Sequence, residues 1–384
     1  MTLALSKRAS FIHQSEIRNM SIECERVGGI NLSQGVCDTP LPPLVERAVT
    51  AAVAEGYNSY TRYDGLVELR QALARRLKSY NGLEVDPDRH VIISAGSTGA
   101  FYCACLALLN PGDGVILFEP YYGYHLNTLQ SADLEPQFVP LHAPDWSCDI
   151  AALERAITPR TRGIMINTPC NPCGKVWTRA ELEAIGEIAR KHDLFVFTDE
   201  VYEYLLYDGR QHISPASIPA LADRTITIGS YSKTFSITGW RIGYAVADER
   251  WSRMIGYMND LVYVCAPAPL QLAVARGIDS VGADYYENLK REYTLKRDML
   301  CASLESAGLT PIVPQGAYYV LADVGRVAGT TSKDRAMELL RRTGVATVPG
   351  SAFYQGHAGD RFVRFCFAKT EVELQNACER LSKL

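Results

Sequence analysis

The chain has 384 residues, 47% hydrophobic and 21% charged, with a formal net charge of −4. That is ordinary for a globular chain with a large core, long enough for two or three domains. Charges of both signs are spread along it, which disfavours nucleic acid or an anionic membrane as partner. No apolar run approaches the roughly 20 residues that span a bilayer, and Met1 to Arg8 has no signal-type apolar core. Eleven cysteines without paired spacing read as free thiols in a reducing compartment, so the cytoplasm is the expected location.

In chain order, the first 35 or so residues lack regular periodicity and are expected to fold back over the body. The basic run Arg75-Arg76 with Lys78 reads as a solvated helix face. Apolar, β-rich runs follow at His90–Ser94, Gly114–Phe118, Arg162–Asn167, Leu194–Thr198, Thr225–Gly229 and Arg241–Ala247. Helical patterns separate them, among them Ala100–Leu109, Arg179–His192 and Trp251–Val262. Nearly all-apolar strands alternating with helices predict a mostly parallel α/β sheet covered on both faces. The stretch Asp284–Gly308 predicts a long helix leaving that sheet. Tyr318–Ala322, Gly344–Pro349 and Arg361–Phe367 then predict strands of a smaller α/β unit. The expected division is an N-terminal arm over 1–45, a large domain over 46–285 and a small domain over 286–384.

Ligands of open α/β sheets sit at the carboxyl ends of strands, and four strand ends here carry suitable groups. Ser94-Ala95-Gly96-Ser97-Thr98-Gly99 opens a helix, where hydroxyls and backbone N–H groups hold phosphate; a glycine turn with a Ser or Thr cap fits equally. Asn167-Thr168-Pro169-Cys170-Asn171-Pro172-Cys173-Gly174 is a loop stiffened by two prolines, and Asn171 could bond a ring hydroxyl. Cys170 and Cys173 have C-x-x-C spacing but no second ligand pair, so neither zinc nor a redox motif is expected. Thr198-Asp199-Glu200-Val201-Tyr202 ends an apolar strand in a carboxylate that could pair with a pyridinium N–H; a helix cap and a packing Tyr are the alternative.

The fourth strand end is Ser230-Tyr231-Ser232-Lys233, with Arg241 eight positions beyond the lysine. Hydroxyls and a guanidinium suit a phosphate, and a lysine amine can form a Schiff base with an aldehyde. Tyr122, just after another strand, could stack on a planar ring. Arg364 lies within an apolar strand. A buried arginine needs an anion, either an internal carboxylate or that of a substrate.

The ordered set Asn171-Pro172-x-Gly174, Asp199-Glu200-Val201-Tyr202, Ser230-x-Ser232-Lys233, Gly239-x-Arg241-x-Gly243 and Arg364 resembles the class I and II aminotransferases of pyridoxal-phosphate fold type I. Ile30-Asn31-Leu32-Ser33-Gln34-Gly35 and Pro314-Gln315-Gly316-Ala317-Tyr318 are similar to the subgroup of kynurenine/glutamine, aspartate, aromatic and methionine aminotransferases. The resemblance implies pyridoxal 5′-phosphate as cofactor, with Lys233, Asp199 and Tyr202 as catalytic residues. It implies that Ser97, Thr98, Ser230 and Arg241 hold the phosphate, that Tyr122 stacks on the ring, and that Asn171 and Tyr202 contact the ring oxygen. Gly35, Asn171 and Arg364 would hold the substrate α-carboxylate. Tyr60 would reach the partner's site in a homodimer. Thr98 stands where several aspartate-preferring members have a lysine, which argues against strict dicarboxylate specificity.

The expected activity is therefore transfer of an amino group from an L-amino acid to a 2-oxo acid, 2-oxoglutarate or pyruvate, with ping-pong kinetics. A β-eliminating lyase or cyclase of the same fold shares the first steps. A non-catalytic regulator that binds the cofactor is the more distant alternative.

Overall fold

The computed structural model describes residues 3–10 and 14–384. Its central sheet has eight strands: β1 (Val91–Ala95), β2 (Gly114–Glu119), β3 (Glu135–His142), β4 (Ser147–Cys148), β5 (Thr161–Asn167), β6 (Phe195–Asp199), β7 (Thr225–Gly229) and β8 (Ile242–Val246). Their spatial order is β1-β8-β7-β6-β5-β2-β3-β4. The run from β7 to β3 is parallel. Successive side chains of a strand point to opposite faces. Accordingly Ile116, Ile164 and Val196 enter one core, while Val115, Leu117, Met165 and Phe197 enter another on the opposite side. Burial on both faces is why these strands read as continuous apolar runs.

One strand breaks the parallel rule, and the break positions chemistry. β8 runs antiparallel to both β1 and β7, with Ile242 opposite Ala95 and Tyr244 opposite Gly229. Its start therefore lies at the same sheet edge as the ends of its neighbours. Arg241, immediately before it, is delivered to the edge where β6 ends in Asp199 and where Lys233 follows β7.

A second sheet holds β9 (Thr310–Ile312), β10 (Tyr319–Asp323), β11 (Val348–Pro349) and β12 (Phe362–Cys366), in the order β9-β10-β12-β11. It is antiparallel, and Arg364 sits on the inner strand β12 between Leu321 and Val348. The long helix between the two sheets in sequence spans Ala283–Ser306.

Three elements depart from the sequence reading. Glu16–Arg26 forms a helix, α1, although the first 35 residues show no clear period; its buried face is only Met20, Ser21 and Cys24, two of them small and weakly apolar. β3 and β4 have no apolar run to announce them, because they form an edge on which most side chains are exposed or half-buried. Arg76 is no solvated face: its guanidinium carbon lies 4.2 Å from the Tyr286 ring centroid, 4.8 Å from that of Tyr80 and 4.9 Å from that of Tyr204. Two further helices frame the site, α2 (Gly96–Leu108) and α3 (Gly123–Ser131).

Candidate active site

The strand ends of the central sheet, α1 and β12 enclose a cavity of about 420 Å3. Its lining brings together Gly35, Ser97, Thr98, Tyr122, Asn171, Asp199, Tyr202, Lys233, Arg241 and Arg364 from widely separated stretches of sequence. Ser230 stands one hydrogen bond behind the wall. Its hydroxyl is 2.6 Å from that of Ser232, which does line the cavity, and donates to the Ile242 carbonyl at 2.8 Å. Tyr60 is 83% exposed and stays outside this cavity.

Lys233 is nearly enclosed. Its Nζ donates to the Gly35 carbonyl at 3.3 Å and lies 5.9 Å from the Tyr202 ring centroid. Burial lowers its pKa from the ordinary 10.5, and the positive charge of Arg241 pushes the same way. A neutral amine, the form that attacks a carbonyl or takes a proton, is thus favoured. Burial also pushes the Tyr202 hydroxyl well above its usual range and that of Tyr319 up to about 12. The two oxygens lie 3.1 Å apart, and both groups remain protonated donors at neutral pH.

Asp199, at the end of β6, is buried. His125 on α3 reaches it, with Nε2 2.9 Å from Oδ2. A carboxylate only accepts, so Nε2 carries the hydrogen. The His125 ring packs edge-on against Phe101 and Tyr122, which fixes its plane. Sequence reasoning missed His125, because a lone histidine in Tyr122-Gly123-Tyr124-His125 has no spacing signal toward a strand end 74 residues on. Asn167 was also missed as a site residue: its amide donates to the Asp199 carbonyl at 3.0 Å and accepts from the Asn171 N–H at 2.7 Å. It ties the ends of β5 and β6 to the Asn-Pro loop.

Arg364 is fully buried. One Nη donates to Asn171 Oδ1 at 2.8 Å and the other to the Ser33 carbonyl at 2.7 Å, while its Nε has no partner among the described residues. Its guanidinium lies 4.0 Å from the Tyr319 ring centroid. Among the described residues no carboxylate pairs with it. An unpaired buried charge is costly, so this one is poised for an anion from outside. Gly35 faces the same spot, and a Cβ there would collide with the Tyr319 hydroxyl.

The opposite end suits a phosphate. Gly96 has φ +74°, a Cβ on it would run into the Arg241 guanidinium, and a Cβ on Gly243 would strike the Gly96–Ser97 backbone. Glycine at both places lets the start of α2 and Arg241 approach one another closely. A cation and hydroxyls at one end, a carboxylate on the floor and an enclosed amine between them fit pyridoxal phosphate.

Cys170 and Cys173 are both buried and free. Their mutual hydrogen bond, with burial second, raises the Cys170 thiol well above its usual range. Such thiols pack rather than react. No helix among the described residues is long and apolar enough to cross a membrane.

Comparison with known proteins gives the same answer. The family model described as aminotransferase class I and II matches residues 27–381. Kynurenine–oxoglutarate transaminase 3 of Rattus norvegicus is 35% identical over 380 residues, covering 91% of this chain and 84% of that protein. Probable N-succinyldiaminopimelate aminotransferase DapC of Mycobacterium tuberculosis is 36% identical over 377 residues, covering 95% and 94%. The solved structure of N-succinyldiaminopimelate aminotransferase from that organism superposes with a TM-score of 0.95 at 35% identity over 99% of both chains. The chain belongs to the class I and II aminotransferases, pyridoxal-phosphate enzymes of fold type I that transfer amino groups.

Proposed function

We propose that this aminotransferase takes the amino group of an L-amino acid and passes it to a 2-oxo acid, 2-oxoglutarate or pyruvate, in two half-reactions at one site. The observation that carries this reading is the shared cavity of Lys233, Asp199 and a fully buried Arg364 that no carboxylate pairs with among the described residues. That guanidinium is a ready anchor for the α-carboxylate common to amino acids and 2-oxo acids. The name of the Rattus norvegicus relative gives oxoglutarate as a substrate of that protein.

Pyridoxal phosphate supplies an aldehyde that condenses with amines and a protonated ring that accepts charge from the substrate Cα. The side chains do the rest. Arg364, oriented by Asn171 and with Gly35 beside it, fixes the α-carboxylate and so the Cα–H bond. Lys233 Nζ, whose pKa burial lowers, would take the Cα proton. Asp199 would hold a proton on the ring nitrogen, and Tyr202 and Asn171 would donate to the ring oxygen. Tyr122 would pack on the ring face, and Ser97, Thr98 and Arg241 would hold the phosphate, with Ser230 behind them on Ser232.

The same reading includes a homodimer in which Tyr60 reaches the partner's site, and a cytoplasmic location, supported by eleven free cysteines. It also divides the chain into an arm over 1–45, a large domain over 46–285 and a small domain over 286–384. The parallel pairing of Ile30–Asn31 with Val345–Ala346 supports grouping the arm with the small domain.

A panel of amino acids assayed against 2-oxoglutarate and pyruvate tests the chemistry. Oxo-acid-dependent turnover with parallel-line kinetics is expected, and Lys233→Ala should lower it by about 10^3-fold or more. Release of ammonia and pyruvate with no oxo acid present would mean elimination instead. Undiminished turnover in Lys233→Ala would mean that another amine does the work.

A further inference from the structure

Tyr319 lines the cavity together with Tyr202 and Arg364, and β10 carries it there. Tyr319 pairs with Cys366 on β12, and Leu321 pairs with Arg364. Tyr319 and Arg364 are therefore diagonal neighbours on one face of the small sheet. The Arg364 guanidinium lies 4.0 Å from the Tyr319 ring centroid. From the other side the Tyr202 ring meets it edge-on, with centroids 5.9 Å apart and planes at 81°. Both tyrosines are buried. The bare Cα of Gly35 leaves room for the Tyr319 hydroxyl, which a Cβ would strike. That oxygen is thus fixed between the substrate anchor and the Tyr202 oxygen, 3.1 Å away.

A phenol has one proton to give, so in this pair one oxygen donates and the other accepts. Tyr318, packed against both rings, spends its own proton on the Gly35 carbonyl at 3.1 Å. If Tyr202 gives its proton to the cofactor's ring oxygen, its oxygen is left to accept and Tyr319 is left to donate. Electrostatics favour the same direction. Burial raises both phenols, but the positive charge of Arg364 opposes it at Tyr319, which reaches about 12 while Tyr202 is driven well above its usual range. The more acidic phenol is the better donor. The other groups facing the pair are Lys233, with Nζ 5.9 Å from the Tyr202 ring centroid, the phenols of Tyr122 and Tyr318, and the Cys366 thiol; Asp199 acts on Lys233 and Tyr122.

We propose that Tyr319 is a positioning residue: its hydroxyl donates to the Tyr202 oxygen, which frees the Tyr202 proton for the cofactor's ring oxygen and strengthens that second bond. This rests on the role proposed for Tyr202 and extends it by one residue. Hydrogen bonds in a chain polarise one another, so a phenol that accepts is a stronger donor. The ring oxygen needs that donor most once the proton it shares with the Lys233 nitrogen has left. The pair of tyrosines therefore makes that proton easier to lose.

The visible absorbance of the bound cofactor, titrated with pH without substrate, reads that proton directly. Wild type is compared with Tyr319→Phe, Tyr202→Phe and the double variant. Each substitution removes one oxygen, keeps the ring and leaves the surrounding charges in place. Tyr202→Phe should raise the midpoint by about one pH unit or more, and Tyr319→Phe by roughly half a unit. The double variant should titrate with Tyr202→Phe, because Tyr319 acts through Tyr202. An unmoved midpoint in Tyr319→Phe, beside a raised one in Tyr202→Phe, overturns the proposal. So does a Tyr319→Phe shift that persists in the double variant, since Tyr319 would then act on the cofactor by itself. Loss of colour in Tyr319→Phe at saturating cofactor also overturns it, because one bond acting through Tyr202 cannot cost the cofactor. If Tyr202→Phe titrates with wild type, the role of Tyr202 itself fails, a result distinct from the other three.

Discussion

At the scale of single residues, the site depends on groups whose orientation is fixed by what surrounds them. Asp199 is the clearest case. In the proposed role its carboxylate faces the ring nitrogen while buried, and the His125 Nε2 hydrogen bond at 2.9 Å is what orients it. A hydrogen bond to a charged group contributes about 1.5–3 kcal/mol. His125→Leu should therefore reduce kcat and cofactor affinity together, by roughly ten- to a hundredfold. His125→Asn, which can still donate, should recover part of both. Cofactor titration of the apoenzyme alongside steady-state rates checks this. If Leu and Asn behave alike, His125 is a packing residue and Asp199 is held by other means.

At the scale of elements, the site is built where backbones come close. Gly96 joins β1 to α2 at φ +74°, directly against Arg241. Gly96→Ala should weaken cofactor binding about tenfold, since it adds both left-handed strain of about 1 kcal/mol and a Cβ aimed at the guanidinium. Gly56 is the control: φ is +91°, yet nothing lies within 4 Å of its Cβ direction. Gly56→Ala should lower the unfolding temperature and leave cofactor affinity alone. Equal affinities in the two variants would separate Arg241 from the phosphate. The same contrast explains what the sequence could reveal. β5, β6 and β7 are buried on both faces, so their β-branched runs, and the polar residues that end them, stand out. β3 and β4 at the edge, and α1 with its small-residue face, carry no such signal. Contacts such as His125 to Asp199, or Arg18 on the cavity wall, join residues with no fixed spacing and become visible only when α3 and α1 are packed.

At the scale of the whole molecule, the Tyr60 segment stands apart from the cavity. Tyr60 is 83% exposed, and nearby Tyr63 packs on Tyr257 with ring centroids 5.1 Å apart. Tyr257 belongs to the helix Glu249–Tyr263, whose Leu261 is 80% exposed and whose Tyr257, Met254 and Val262 are each at least 41% exposed. An apolar face running from the Tyr60 segment onto this helix is what an isologous dimer would cover. The proposed dimer carries a sharp consequence. Lys233→Ala and Tyr60→Ala chains, co-expressed with different tags, give hybrid dimers. If Tyr60 serves the partner's site, each hybrid contains one site with both substitutions and one with neither. Hybrids should then regain about half the wild-type activity at limiting cofactor, although each parent dimer is impaired. If Tyr60 serves its own chain, every site that keeps Lys233 lacks Tyr60, and the hybrids should show no more than half the activity of the Tyr60→Ala parent. Sedimentation of the same samples separates either result from a failure to pair, because a monomer cannot exchange residues at all.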